Sequence, residues 1–407
     1  MANHGNLFGS GCAGSGEHEG MNPLASSSTP TMASSMTQPP PARIGDSLSS
    51  VDTPALVLDL DAFEHNVVAM AARVHATGLA LRPHAKSHKC PEVARRQVDA
   101  GAVGVCCQKV SEAEAMVRGG IEDVLVTNEI VGRAKLVRLA RLAGRARVAV
   151  LADDAANVAD LEAAAAGEGA RLEVLVEVDV GALRCGVAPG ASALALARRI
   201  AASPSLSFAG LHAYHGPAQH LRSTEERHAA IARAAAQVKT TRELIQASGL
   251  ACPTVTGAGT GTFLHEAASG AWTELQPGSY VFMDADYARN EIDSRWPRFE
   301  HSLFVLATVM SRPAADRAVV DAGLKASSVD SGMPLAWRRA GLEYVTASDE
   351  HGVLRIAAGA QAPALGEKLL LVPGHCDPTV NLHDWFVCMR KGRVEELWPI
   401  TARGAVW

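Results

Sequence analysis

Three short stretches hold residue types that could do chemistry together. In Leu81-Arg-Pro-His-Ala-Lys-Ser-His-Lys89, Lys86 stands between His84 and His88, where the apolar run 79–81 ends and before a helical pattern starts near Pro91. On an extended segment that spacing puts all three side chains on one face. A lysine among positive or desolvating neighbours can serve as a nucleophile or form an imine, and the same residues also suit a basic strand end in solvent. The second stretch is Gly257-Ala-Gly-Thr-Gly261, whose small residues let backbone N–H groups approach a phosphate. A tight turn would use the same glycines. The third is His375-Cys376-Asp377. Read as extended chain, its His and Asp share a face and can take adjacent positions on a divalent ion while Cys376 points away. Such a nitrogen and oxygen set suits Mn²⁺, Mg²⁺ or Co²⁺, and a salt-bridged turn would use the same pair.

The elements that must position these residues follow a repeat. From 79 to about 280 the chain alternates short apolar β-rich runs with Ala, Arg and Glu-rich helical runs. Strands are expected at 79–82, 103–108, 123–127, 147–151, 172–178, 208–213, 254–256 and 275–282, with helices such as 111–118, 133–143, 155–166, 191–202 and 223–248 between them. This is an α/β pattern with a parallel sheet, and eight units point to a (β/α)8 TIM-like barrel. An open doubly wound sheet is the alternative. In such a barrel the working residues gather where strands end. Those positions hold Lys86, Gln108, Thr127, Asn128, Arg184, Tyr214, His215 and the glycine loop, with Ser279 and Tyr280 in the eighth strand. They describe a site of one lysine, one arginine and neutral hydrogen-bonding groups.

After Asp286 short apolar runs separated by Gly, Pro, Asp and Asn predict a second, C-terminal β domain at 286–407, which the early strand 55–60 could join. The barrel is then expected at 46–285. The first 45 residues, rich in Ser, Gly, Pro and Thr, read as a disordered tail. A net charge of −5 gives no basic surface for nucleic acid, and no apolar run approaches the roughly 18 residues of a membrane span. Eight cysteines without a CxxC pair fit a reduced, cytoplasmic setting.

A phosphate cradle facing a lysine across a barrel mouth suggests pyridoxal phosphate held as an imine. The runs Arg82-Pro-His-Ala-Lys-Ser-His88, Cys106-Cys-Gln-Lys-Val-Ser-Glu112, Gly257 to Gly261 and Pro373-Gly-His-Cys-Asp-Pro-Thr379 resemble the D-threonine aldolase and D-serine dehydratase-like group of alanine-racemase-like, fold-type III pyridoxal phosphate enzymes. The resemblance runs from about Asp46 to the C-terminus. It implies Lys86 as the imine lysine, Gln108 as a cofactor contact, Arg184 near the phenolic oxygen and Tyr214 near the pyridine nitrogen. It further implies Gly257, Gly259, Thr260, Gly261, Ser279 and Tyr280 around the cofactor, His220 as the base, and His375 with Asp377 as metal ligands. D-serine dehydratases resemble HxC at the last motif, with zinc, and D-threonine aldolases resemble HxD, so the resemblance favours an aldolase acting on D-3-hydroxy-amino acids. Relatives usually pair as homodimers with each second domain over the partner's barrel mouth.

Three other readings stay open on the sequence. A sister activity, D-3-hydroxyaspartate aldolase or D-serine dehydratase, would use the same scaffold. A non-catalytic pyridoxal phosphate carrier would resemble the barrel alone, and a metal-dependent hydrolase would make Lys86 a spectator. One departure from the family pattern stands out: Ala258 replaces the second glycine of a common Gly-Gly-Gly-Thr-Gly loop.

Overall fold

The structure is a computed structural model that describes residues 38–292 and 296–407. Most of the expected tail, 1–37, lies outside the described residues. Its last residues do not behave as a tail, because Pro41 accepts a hydrogen bond from Asp52 N (2.8 Å), Gly45 N donates to Val394 O (2.8 Å) and Ala42 is buried.

Ordered structure starts with β1 (Ala55–Asp59) and α1 (Leu60–His75), where the Asp59 carboxylate caps the helix by accepting from Asp61 and Ala62 N–H. The repeat follows as β2 (Ala80–Leu81), α2 (Pro91–Asp99), β3 (Val105–Cys107), α3 (Val110–Arg118), β4 (Asp123–Glu129), α4 (Arg133–Leu142), β5 (Arg147–Ala152) and α5 (Ala155–Gly167). It continues through β6 (Leu172–Glu177), α6 (Ala191–Ala201), β7 (Leu206–Ala213), α7 (Thr224–Ala247), β8 (Thr254–Gly257), α8 (Phe263–Ser269) and β9 (Glu274–Leu275). Starts are written in the sequence: Pro91 opens α2, Asp154 caps α5, and Ser223 with Glu226 forms a capping box on α7. All pairings are parallel, in the order β2-β9-β8-β7-β6-β5-β4-β3. Val103 N to Leu81 O (2.9 Å) and Cys106 N to Pro83 O (2.8 Å) join the two ends into a ring. The eighth strand is much shorter than the expected 275–282, because Pro277 and Gly278 end the ladder and the chain turns into a 3-10 segment at Ser279–Val281.

Strand alternation divides the barrel core. Val105, Cys107, Val124, Val126, Val148 and Val150 belong to the large core shared with the helices, while Cys106, Leu125, Ala149, Leu151 and Leu175 form a separate small cluster. Next to that cluster lies a buried polar chain. Arg82 Nε donates to Glu274 Oε2 (3.0 Å), Thr256 Oγ1 donates to Glu274 Oε1 (2.7 Å), and Gln276 Nε2 donates to Thr256 Oγ1 (2.7 Å). Gln276 Oε1 meets His212 Nε2 (3.1 Å), and His212 pairs with Glu177 through its other nitrogen. Burial lowers the pKa of His212, but the Glu177 carboxylate more than offsets it and the net shift is upward. These groups form a polar floor beneath the barrel mouth.

The second half is β10 (Leu303–Ala314), β11 (Arg317–Val320), β12 (Leu335–Ala336), β13 (Leu342–Ala347), β14 (Gly352–Ile356), β15 (Lys368–Val372), the short helix α9 (Cys376–Val380), β16 (Trp385–Arg390) and β17 (Arg393–Pro399). The sheet runs β13-β14-β11-β10-β1-β16-β17, with β15 on β10 and β12 on β15. β1 pairs antiparallel with β10 and parallel with β16, so the first strand of the chain belongs to this sheet. Among the described residues no helix is long and apolar enough to cross a membrane, and the seven described cysteines are free thiols.

Candidate active site

Beyond β2 the chain makes a 3-10 turn at Ala85–Ser87, and this turn aims Lys86 into a cavity at the barrel mouth. The turn corrects the expectation that His84, Lys86 and His88 share a face. His84 lines the cavity, but His88 is buried away from it and its Nδ1 accepts from Cys90 N (3.1 Å). Burial holds the His88 pKa down at about 3. The pKa of His84 is also held well below the usual value, by burial and then by the Lys86 charge, so its ring is neutral. Its Nε2 meets Gln108 Nε2 (2.9 Å) and Thr127 Oγ1 (3.0 Å), and Asn128 Nδ2 donates to Gln108 O (3.0 Å). The ends of three successive strands are thereby tied together beside the lysine.

Lys86 lies deep in the chain, yet 38% of its side chain is open to the cavity, and its Nζ is 3.9 Å from Asp377 Oδ2. Burial, the largest single influence, lowers its pKa, but Asp377 together with Tyr214 and Glu112 outweighs it and the net shift is upward. One chain therefore supplies both the lysine and the Asp of the HxD motif. The motif is not extended. His375 has β backbone angles and caps α9, while Cys376 and Asp377 already belong to the first helical turn. Both His375 and Asp377 still face the cavity, and Cys376 is buried with its Sγ 3.3 Å from Asp377 Oδ1 rather than pointing clear of it. His375 Nδ1 meets Asp330 Oδ2 at 2.8 Å, which leaves Nε2 for another partner.

Ala258, Gly259, Thr260, Gly278 and Ser279 also line the cavity. Glycine is required here by packing against Gln219. A Cβ on Gly259 would lie 2.5 Å from Gln219 Oε1, and one on Gly261 would lie 2.7 Å from the Gln219 carbonyl oxygen. Gly261 N–H is taken by Gln219 Oε1 (2.9 Å), whereas the N–H groups of Ala258, Gly259 and Thr260 have no partner among the described residues. Ala258 sits at φ +73°, the left-handed region where glycine is at ease. Two of the expected cofactor contacts, Gly257 and Tyr280, do not line the cavity. Gly257 ends β8 beneath Trp272, and the Tyr280 side chain is in the core, its hydroxyl accepting from Gln97 Nε2 (3.0 Å). Tyr280 N donates to Thr260 Oγ1 (3.1 Å), so this residue supports the loop from behind.

Arg184 and Tyr214 flank the cavity, the guanidinium 5.8 Å from the ring centroid. The Arg184 loop is pinned by the Asp179 carboxylate, which accepts from the N–H groups of Gly181, Ala182 and Leu183, and by Asp153 Oδ2, which accepts from Gly186 N (2.9 Å). Burial raises the Tyr214 pKa further, so its hydroxyl stays neutral. Glu129, Asp153 and Cys185 bring ligand atoms within 4.8 Å of one another beneath this loop, at a different place from the HxD motif. His220 ends the 3-10 turn Pro217–His220 on the cavity wall, and its Nδ1 is 2.6 Å from Asp286 Oδ2.

Some cavity residues were not singled out in the sequence. Tyr287, His212 and Gln276 line the cavity, and Gln219, Asp286 and Asp330 stand just behind it. Gln219 is adjacent to His220, and Asp284-Ala-Asp286-Tyr287 directly follows the repeat, a position that could have drawn notice. His351 lies in the exposed turn between β13 and β14, away from the cavity. A second groove, lined by Arg118, Arg145 and Arg171, lies at the other end of the barrel where α3, α4 and α5 finish, and no strand-end residue reaches it.

Residues 58–286 match the family described as "Alanine racemase, N-terminal domain", and 302–389 match that described as "Putative serine dehydratase domain". The chain is 54% identical to a D-threonine aldolase of Arthrobacter sp over 90% of this chain and 96% of that one. It is 49% identical to a 3-hydroxy-D-aspartate aldolase of Paracoccus denitrificans, over 89% and 95%. The crystal structure of D-threonine aldolase from Filomicrobium marinum superposes with a TM-score of 0.89 at 53% identity, covering 91% of this chain and all of that one.

Proposed function

The chain belongs to the alanine-racemase-like family that includes the D-threonine aldolases, and from that membership we propose that it is a pyridoxal phosphate- and divalent-metal-dependent D-threonine aldolase. It would cleave D-threonine and related D-3-hydroxy-amino acids to glycine and an aldehyde, working as a homodimer. The observation that carries this reading is the meeting of Lys86 and Asp377 at 3.9 Å across one cavity, with His375 and His220 on its wall.

The residues fit both groups. Lys86 and the unpartnered N–H groups of Ala258, Gly259 and Thr260 line one cavity and together suit a phosphorylated aldehyde, with Ser279 among the lining residues. Pyridoxal phosphate, when bound, supplies an electron sink at the substrate's α-carbon. Gln108 and Arg184 would contact its ring substituents, and neutral Tyr214 would leave its nitrogen unprotonated. A weaker sink needs help at the β-carbon, and His375 with Asp377 would hold a divalent ion that makes the β-hydroxyl more acidic.

His220 then acts as general base. Its cavity-facing nitrogen takes the β-hydroxyl proton, and the oxygen's electron pair becomes the second bond of the aldehyde as the bond between the α- and β-carbons breaks. The α-carbon gains a proton and leaves as glycine. Asp377, rather than a thiolate ligand, favours this cleavage over dehydration. The sister substrate D-3-hydroxyaspartate is the second reading, on the 49% identity to an aldolase of that name.

Borohydride reduction of the yellow holoenzyme followed by peptide mapping tests the cofactor reading. The reduced pyridoxyl group is expected on Lys86, and label on another lysine, or none, would overturn it.

A further inference from the structure

His220 is a surface-turn histidine with one unusual partner. Its side chain is 50% exposed, whereas that of Asp286, against its Nδ1, is only 5% exposed. Asp286 Oδ2 faces His220, and Oδ1 accepts from Arg222 Nη2 (2.6 Å) and from Arg289. Arg222 also donates to Asp286 O (2.8 Å) and to Asn290 Oδ1 (2.7 Å), while Asn290 Nδ2 returns to Gln219 O (2.9 Å), next to His220. Arg289 donates onward to Ser331 O (2.8 Å). The carboxylate is fixed on every side.

Burial would raise the Asp286 pKa, but the bonds from Arg222, His220 and Arg289 outweigh it and hold it below the usual carboxylate range. An ionised carboxylate only accepts hydrogen bonds, so the nitrogen facing it must carry a hydrogen. In a neutral imidazole the other nitrogen is then bare.

We propose that Asp286 is a positioning residue for the cleavage step, fixing His220 as the Nδ1–H tautomer with the Nε2 lone pair free for the substrate's β-hydroxyl. This rests on the reading of His220 as the base. In the step, the β-hydroxyl proton moves to Nε2, the O–H electron pair forms the aldehyde carbonyl, and the carbon–carbon pair stays with the α-carbon and its sink. The Nδ1 proton remains on the ring, donated to Asp286, which stays ionised throughout. The two arginines prevent Asp286 from taking that proton. Their charge is used on the carboxylate rather than on substrate.

The test uses holoenzyme with saturating pyridoxal phosphate and metal. In Asp286→Asn the amide oxygen can keep the arginine contacts while its N–H faces His220, which turns the ring to the opposite tautomer. The expected result is a kcat lower by about 10²–10⁴-fold, with KM and the cofactor's visible band nearly unchanged. In a His220→Ala background, Asp286→Asn should cost little more, because Asp286 acts through the ring that is gone.

Independently of any folding defect, ¹⁵N-histidine spectra of the wild-type Mg²⁺ enzyme, assigned with His220→Gln, should give His220 protonated at Nδ1 and bare at Nε2. A hydrogen on Nε2, a wild-type kcat in Asp286→Asn, or an undiminished Asp286→Asn loss in the His220→Ala background would each overturn the proposal. If His220→Ala loses activity and Asp286→Asn does not, only the positioning role falls. If His220→Ala keeps wild-type turnover, the base assignment falls and the positioning role with it.

Discussion

Gly259→Ala perturbs the proposed phosphate cradle in a way that can be worked from the structure. The backbone at 259 is not left-handed, so an alanine is conformationally allowed and only space decides. The new methyl carbon would lie 2.5 Å from Gln219 Oε1 and 2.6 Å from its Cδ. A surface glutamine would swing aside, but this one is fully buried. Its amide accepts from Gly261 N (2.9 Å) and donates to Thr262 Oγ1 (2.7 Å). Displacing it leaves at least one buried polar group unpaired, at about 1–3 kcal/mol. The alternative is for the loop to leave its present conformation, and cofactor binding must then restore it. In the second case the cofactor affinity falls by roughly 5- to 150-fold, at about 1.4 kcal/mol per factor of ten; in the first the cost falls on apo- and holoprotein alike and appears as lost folding stability. Titrating the apoprotein with pyridoxal phosphate, followed by the visible imine band, measures the affinity, and the melting temperature reads the stability. In a Gln219→Ala background the methyl has room, so the two changes should couple by about 0.5 kcal/mol or more. Unchanged affinity together with an unchanged melting temperature in Gly259→Ala, or simple additivity with Gln219→Ala, would refute the packing argument.

Two further outcomes follow from other residues. Asp377→Ala should abolish the activity gained on adding Mn²⁺ and weaken Mn²⁺ binding read by electron paramagnetic resonance; an unchanged titration would remove Asp377 from the metal site. Burial raises the Glu266 pKa from 4.5 to about 8, opposed only weakly by the Thr262 hydroxyl (2.7 Å). Between those values the folded chain keeps the proton and the unfolded chain loses it, so the contribution to stability is full below about pH 4.5 and falls as pH rises towards 8. Glu266→Gln has no such slope. Its melting temperature should gain on the wild type between pH 5 and pH 8, and parallel curves would mean that Glu266 is ionised in the fold.

The barrel was legible because each crossover is local: the apolar runs at 123–127, 147–151 and 172–178 and the helices at 133–143 and 155–166 fall within a few residues of the observed elements. Strand length was misjudged where burial, not pairing, sets composition, as at 275–282, most of which is buried loop and 3-10 turn. The orientation of His84 against His88 depended on a single turn at Ala85–Ser87, which two-residue periodicity cannot anticipate. The same holds for the helical start at Cys376. Motif residues could be found, but their supports could not. Gln219 meets Gly261 across 42 residues, His220 meets Asp286 across 66, and His375 meets Asp330 across 45. No local pattern encodes such contacts. Ala258 was visible as a departure, and its cost becomes clear only from its left-handed backbone.

The measurement that tests the central claim most directly is glycine and aldehyde release from D-threonine, with L-threonine and D-serine as controls, pyridoxal phosphate present, and Mn²⁺ added or chelated away. The account predicts metal-dependent glycine from D-threonine and none from L-threonine. Pyruvate from D-serine with no glycine from D-threonine would contradict it, and would mean that an aspartate at 377 does not direct this site to carbon–carbon cleavage.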